Sequence, residues 1–281
     1  MGSRAVLITG CSSGIGRATA LRLAERGWPV YATARKVSSI EDLAARGCTT
    51  LALDVNDDAS MRAAVGVVVE REGAVGVLVN NAGYSQSGAA ETVSMELVRR
   101  QFETNVFGLI QLTKLVLPGM RDQGWGRIVN VSSMGGKLSF PGGAYYHASK
   151  HAVEAFSDVL RFETKNFGVR AAIIEPGLIR TAFGEAAVGS MEGEPEQGPY
   201  ASFNNEVARL TKNAYDGPMA KLGARPETVA KAIERAISSR RPKTRYRVGA
   251  SARVMLLLRA LLPDRAWDVF LRSQYPRPSN G

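Results

Sequence analysis

Two rhythms of apolar residues alternate along this chain. Short β-branched and aliphatic runs at about 4–9, 29–33, 49–54, 76–80, 126–131 and 169–175 read as strands, and the stretches between them carry apolar positions at helical spacing. RAVLIT passes at once into GCSSGIGRATALRLAERG, where the period changes from strand to helix within one glycine-rich turn. Repeated alternation of this kind predicts an α/β fold with a parallel, doubly wound sheet covered by helices on both faces. A late run, Thr244 to Val248, predicts an edge strand and brings the expected total to about seven. No Pro/Gly/Ser-rich linker divides the 281 residues, so one domain over 1–281 is expected.

Two stretches break the pattern. Between about 181 and 222 the periodicity fades and Gly189, Gly193, Pro195, Gly198 and Pro218 accumulate; so long a connection in a compact domain is usually functional. From about 250 to 281 the chain is basic and apolar together. Val254, Met255, Leu256, Leu257, Leu258, Leu261, Leu262, Trp267, Val269, Phe270 and Leu271 are interleaved with Arg253, Arg259, Arg265 and Arg272. The apolar run is far shorter than the roughly 20 residues of a spanning helix, so an amphipathic helix is predicted. It has two destinations: back onto its own domain with a solvated arginine face, or onto an anionic membrane surface or partner subunit.

The charge sharpens that contrast. Of the net +10, residues 235–281 supply +9, with eleven Arg or Lys against two Asp, leaving residues 1–234 near +1. No recognised nucleic-acid motif accompanies the basic tail, and no nucleic-acid partner is expected. Cys11 and Cys48 form no evident disulfide framework, and a core strand starts almost at the first residue. Both features predict a cytoplasmic protein, membrane-associated only through its tail.

The chemistry begins in the first turn. Gly10, Gly14 and Gly16 remove side chains where a dinucleotide pyrophosphate would approach the backbone, and the helix N-terminus favours its charge. Their spacing, G-x-x-x-G-x-G, differs from the G-x-G-x-x-G fingerprint. After the second strand, where a Rossmann unit carries an acidic residue for the adenosine ribose, this chain has Arg35. A planar cation there suits a 2′-phosphate, with Arg17, Ser12 and Ser13 as helpers, so NADP(H) is expected in preference to NAD(H). Asp54, or the backbone of Val55 after it, is placed to reach the adenine edge. Tyr146 and Lys150 stand i and i+4 on a predicted helix, with Ser133 thirteen residues upstream of the tyrosine. Alone, such a pair is an ordinary surface feature. In a carbonyl-reducing site, the ammonium would lower the tyrosine pKa and the serine would hold the substrate oxygen.

Read in order, Thr9–Gly16, Asn80-Asn81-Ala82-Gly83, Asn105, Ser133, Tyr146 with Lys150, and Pro176-Gly177 with Thr181 resemble the short-chain dehydrogenase/reductase family, single-domain subgroup. The resemblance spans residues 9–181, and TGCSSGIG, VYATARK and the basic tail look most like its 17β-hydroxysteroid and retinol dehydrogenase members. It implies a Rossmann sheet of order 3-2-1-4-5-6-7. It further implies Tyr146 as proton donor and acceptor, Ser133 on the reacting oxygen, Lys150 on the nicotinamide ribose, and Asn105 supporting a water that links Lys150 to solvent. Asn81, Ala82 and Gly83 would line the adenosine side with Gly10, Ser12, Ser13, Gly14, Ile15 and Gly16, while Pro176, Gly177, Ile179 and Thr181 would cover the nicotinamide. The family's substrate cover falls over 181–222, which makes Phe183, Tyr200 and Phe203, joined by Met134, Leu138, Phe140 and Leu178, candidate walls for a lipophilic ketone or alcohol. The expected enzyme is an NADP(H)-dependent oxidoreductase, forming a homodimer or homotetramer through the long helices beside the site. The alternative is a catalytically silent dinucleotide sensor or scaffold. Tyr145 and Ser132, out of register, are expected to pack rather than react. His147 and His151 have helical spacing but no Cys or carboxylate to complete a metal set, and no metal is expected.

Overall fold

The computed structural model describes residues 2–191, 198–216, 223–275 and 278. Its seven strands are β1 Val6–Ile8, β2 Val30–Ala34, β3 Cys48–Ala52, β4 Val77–Asn80, β5 Gly126–Val131, β6 Val169–Pro176 and β7 Arg245–Val248. All pair in parallel, in the order β3-β2-β1-β4-β5-β6-β7, with Val6 opposite both Val30 and Val77. The chain reverses direction of travel across the sheet between β3 and β4, which opens a crevice at the carboxyl ends of β1 and β4.

The helices are α1 Gly14–Glu25, α2 Asp58–Glu72, α3 Met95–Phe102, α4 Gly108–Asp122, α5 Ala144–Thr164, α6 Phe183–Gly189, α7 Ala201–Asp216, α8 Pro226–Ser238, α9 Ala250–Leu261 and α10 Asp264–Gln274. Local signals set several starts. Asp57 accepts from the Ala59 amide at 3.0 Å to cap α2, Ser94 caps α3, and Pro226 opens α8, where its missing N–H costs no hydrogen bond. Between β2 and β3 the expected helix is absent: residues 37–46 make two 3₁₀ turns that bury only Ile40 and Leu43.

Every residue of β1, β2, β4 and β5 is buried, as a sheet covered on both faces requires. Val6, Ile8, Val77 and Val79 pack toward α1 and α8; Leu7, Leu78 and Ile128 pack toward α2 and α4. Polar residues inside the second layer are satisfied in a chain: Asn80 donates to Thr113 at 3.1 Å and Asn130 at 2.9 Å, and Asn130 donates to Ser157 at 2.8 Å. At the far edge, Arg245 on β7 meets Glu154 (2.9 Å), Asp158 (2.7 Å) and Glu175 (3.2 Å), clamping α5 to β6. Cys11 and Cys48 are buried free thiols. Among the described residues no helix is long and apolar enough to cross a membrane.

The tail departs from the single amphipathic helix expected over 250–281. Pro263 breaks it into α9 and α10, which fold back on the domain: Leu256 and Trp267 bury against Leu138, with Met134, Phe140, Met255 and Phe270 packed around them. Residues 276–277 and 279–281 of the expected tail, and residues 192–197 and 217–222 of the expected substrate cover, lie outside the described residues.

Candidate active site

A cavity of about 1080 Å³ runs along the carboxyl ends of the strands, from Arg35 and Asp54 to Tyr275. Its floor is the glycine turn. A methyl on Gly16 would lie 2.3 Å from the Gly10 carbonyl oxygen and 2.6 Å from Asn81 Nδ2, so only glycine lets α1 start this close to the β1 turn. The Thr9 hydroxyl accepts from the amides of Asn81 (3.0 Å) and Ala82 (2.9 Å), while Asn81 Nδ2 donates to the carbonyls of Thr9 (2.9 Å) and Gly10 (3.1 Å). Asn81 thus fastens the β4 turn to the glycine turn with its side chain, and Thr9 is an equal partner in that fastening.

The same floor tests whether a dinucleotide fits. Gly10, Ser12, Ser13, Gly14 and Ile15 line the cavity beside Asp54, Val55, Ala82 and Gly83, and Gly16 lies just beneath. Arg35 reaches the same cavity from the end of β2, is exposed, and has no ion pair among the described residues. Arg17, expected to help it, is instead engaged by Asp42 and does not line this cavity. Two buried hydroxyls on the walls, Ser132 Oγ and Tyr84 Oη, have no hydrogen-bond partner among the described residues. A glycine cradle, a free cation and unsatisfied donors are what a phosphate-rich, polar cofactor needs, and the residues present fit one.

Four residues of the expected chemistry converge beyond the floor. Asn105 lies in a single π-helical turn, Glu103–Phe107, between α3 and α4, a distortion that recurs at functional sites. Its Oδ1 accepts from the Tyr84 amide at 3.1 Å, and its Nδ2 donates to the Tyr84 carbonyl (3.0 Å) and Ser149 Oγ (3.1 Å). Ser133 follows β5 in extended backbone, and its Oγ accepts from the Gly135 amide at 3.0 Å. Tyr146 sits in the first turn of α5, its ring 5.6 Å from that of Phe183 and its hydroxyl hydrogen-bonded by Ser133. Lys150, one turn later and buried, donates to the Val131 carbonyl at 2.9 Å, with its Nζ 5.9 Å from the Tyr146 ring centre.

The electrostatics correct the sequence expectation. Crowding by protein atoms pushes Tyr146 up to about 12, against which the Ser133 hydrogen bond works only partly. Burial likewise lowers Lys150 to about 8, with the Glu154 carboxylate opposing the fall. Desolvation penalises both charged forms, raising the phenol and lowering the ammonium. The tyrosine therefore holds its proton at neutral pH.

Other expectations are redrawn. Met134, Phe140, Leu178 and Phe183 line the cavity; Leu138, Tyr200 and Phe203 do not. Leu138 is buried behind the wall against Leu256 and Trp267. Phe203 packs with Ala89, Met191 and Val207, and the Tyr200 hydroxyl donates to Glu91 at 2.7 Å, so both pin α7 to the β4–α3 loop. Tyr145 donates to the Ala90 carbonyl at 2.6 Å, away from Tyr146. His147, lowered to about 4 by burial, is wedged between Gly135 and Gly143, and His151 contacts the His147 carbonyl at 2.8 Å. Pro176, Gly177, Ile179 and Thr181 all line the cavity.

Sequence reading missed the residues that hold and roof this end. Ser251 at the start of α9 accepts from the Leu178 amide at 3.0 Å, and a methyl on Gly177 would lie 2.2 Å from its Oγ. Met255, Phe270, Gln274 and Tyr275 close the cavity from the tail, and Tyr215 on α7 does so from the cover. The available signal was that α9 is apolar on more than one face, which marks a helix with two neighbours.

The chain belongs to the short-chain dehydrogenase/reductase family, whose model, described as short chain dehydrogenase, matches residues 4–191. It is 38% identical over 270 residues to the uncharacterized oxidoreductase YbbO of Escherichia coli, covering 96% of this chain and 94% of that protein. It is 35% identical over 273 residues to the 3-ketodihydrosphingosine reductase of Bacteroides thetaiotaomicron, covering 96% and 97%. A solved variant of actinorhodin polyketide ketoreductase with NADPH superposes with a TM-score of 0.74 at 31% identity, over 87% of this chain and 96% of that one.

Proposed function

We propose that this protein is an NADP(H)-dependent oxidoreductase interconverting a carbonyl and a secondary alcohol on a hydrophobic, steroid-, retinoid- or lipid-like substrate. The observation that carries the reading is one continuous cavity that joins the glycine cradle and Arg35 to Ser133, Tyr146 and Lys150, then continues between Phe140, Phe183, Met255 and Phe270. Two of the similar proteins support it by name: a ketoreductase with NADPH and a 3-ketodihydrosphingosine reductase.

Arg35 would meet a 2′-phosphate, and the turn from Gly10 to Gly16 would hold the pyrophosphate. Bound nicotinamide supplies or accepts the hydride at the substrate carbon. In the reductive direction the Tyr146 hydroxyl gives its proton to the substrate oxygen, and the Ser133 hydroxyl donates a hydrogen bond that holds that oxygen in place. A tyrosine that keeps its proton at neutral pH suits this direction. Lys150, anchored by the Val131 carbonyl, has ammonium donors left for a ribose and stabilises the phenolate that remains. Asn105 fixes the Tyr84 turn and Ser149 around the lysine and so acts by positioning.

A homodimer or homotetramer through α4 and α5 belongs to the same reading; Phe107 at the head of α4 and Val159 and Phe162 on α5 are exposed there. The decisive experiment is Tyr146→Phe assayed by NADPH absorbance across a panel of ketones. Turnover should fall by about 10²–10⁴-fold with NADPH affinity retained, and undiminished turnover would sink the mechanism. Arg35→Ala should erase a preference for NADPH over NADH; an unchanged preference removes its role. A wild-type protein that binds NADPH and consumes none with any ketone or alcohol would be a dinucleotide sensor instead.

A further inference from the structure

Helix α9 is apolar around much of its circumference, yet only one side is covered by the described residues. Ser251, Ala252 and Leu256 are buried, and Met255, Leu258 and Leu262 pack with Trp267. On the opposite side Val254, Leu257 and Leu261 are 60%, 59% and 72% exposed, at i, i+3 and i+7, and Val269 on α10 is 63% exposed. A helix apolar on more than one face is ordinarily buried, and clustered apolar side chains in water mark an interaction surface.

The charges around the stripe say what it meets. Arg253, Arg265 and Arg272 are exposed on the same two helices and make no ion pair among the described residues. Arg259 is already used, donating to Asp264 at 2.6 Å and lying over the Trp267 ring. The two helices together carry Arg253, Arg259, Arg265 and Arg272 against Asp264 and Asp268, the first of which Arg259 engages. A second copy offering this face would set arginine against arginine, a like-charge arrangement that disfavours self-association. An anionic bilayer offers the complement to both features: phosphates for the arginines and acyl chains for the stripe. At 12 residues, α9 is long enough to lie in the interface and too short to span it.

We propose that the outer face of α9 and α10 docks on a membrane surface bearing anionic headgroups, with Val254, Leu257, Leu261 and Val269 entering the interface. The inner faces of these helices carry Met255 and Phe270, which line the cavity, so docking sets its apolar end beside the lipid. Delivery of a membrane-borne substrate rests on the oxidoreductase reading; the docking does not.

The test is cosedimentation of the full chain with vesicles of phosphatidylcholine alone and with about a quarter phosphatidylglycerol. Wild type should pellet with the anionic vesicles, less with phosphatidylcholine, and less as salt rises. Leu257→Glu with Leu261→Glu should lower the bound fraction about tenfold or more while circular dichroism and melting temperature stay as in wild type. Arg253→Glu with Arg265→Glu and Arg272→Glu should abolish the preference for phosphatidylglycerol. Wild type that stays in the supernatant with both vesicles, or a leucine variant that pellets like wild type, overturns the proposal. A dimer mass in light scattering that falls to the monomer on Leu257→Glu with Leu261→Glu would assign the face to a second copy. Sedimentation needs no turnover, so this proposal fails separately from the enzymatic one.

Discussion

Asn81 fastens the β4 turn to the carbonyls of Thr9 and Gly10, and a methyl on Gly16 would collide with backbone; over the same cavity, α9 and α10 are held by Leu138, Leu256 and Trp267. The floor is fixed by directional bonds between main chain and a few short side chains. The roof is fixed by apolar contact, which is non-directional and tolerates other side chains of similar volume. A cofactor common to many reactions needs the first kind of surface, and a substrate particular to one protein needs the second.

The largest expected effect lies in the floor. Gly16→Val should abolish nicotinamide-dinucleotide binding and destabilise the chain by several kcal/mol, because the nearest clashing atom is the Gly10 carbonyl, which cannot rotate away. Urea unfolding and cofactor titration check it, and a stable variant that still binds would mean that the turn is pliable. In the roof, Trp267→Ala removes the centre of the tail cluster, at a cost of about 3 kcal/mol expected to fall locally. Amide exchange should quicken in α9 and α10 while β1, β4 and β5 stay protected, and KM for bulky substrates should rise with cofactor affinity unchanged. Equal loss of protection in the sheet would show that roof and floor unfold as one.

The smallest effect concerns pH. Burial holds folded Lys150 near 8, below its ordinary 10.5, so between those values the unfolded chain carries more protons and stability rises with pH. Cys11 and Tyr146, both raised to about 12, act in the opposite sense above pH 9 and pH 10 respectively. The lysine contribution is therefore isolated as wild type minus Lys150→Met between about pH 7 and pH 9, where the difference should climb by less than about 1.4 kcal/mol per pH unit. A flat difference would place the lysine in solvent-like surroundings.

The floor was legible in sequence because its constraints are local. A glycine where a side chain cannot fit, an asparagine after a strand and a lysine one turn from a tyrosine are written in short, fixed spacings. The roof was not, and the misplaced residues show why. Tyr200 and Phe203 are aromatic and lie in the expected cover, yet their partners are Glu91 and Ala89, more than a hundred residues earlier. Leu138 follows Ser133 closely, but Leu256 and Trp267 turn it into the back of the wall.

The sequence by itself determined the α/β alternation and the glycine cradle, and its spacing singled out Ser133, Tyr146 and Lys150, since strand and helix periods and backbone approach depend on neighbouring residues. Tertiary structure decided that the basic tail is two helices roofing the cavity, and that burial raises the Tyr146 phenol while lowering the Lys150 ammonium. Both depend on which distant atoms exclude water from a side chain, and that exclusion exists only once the chain has folded.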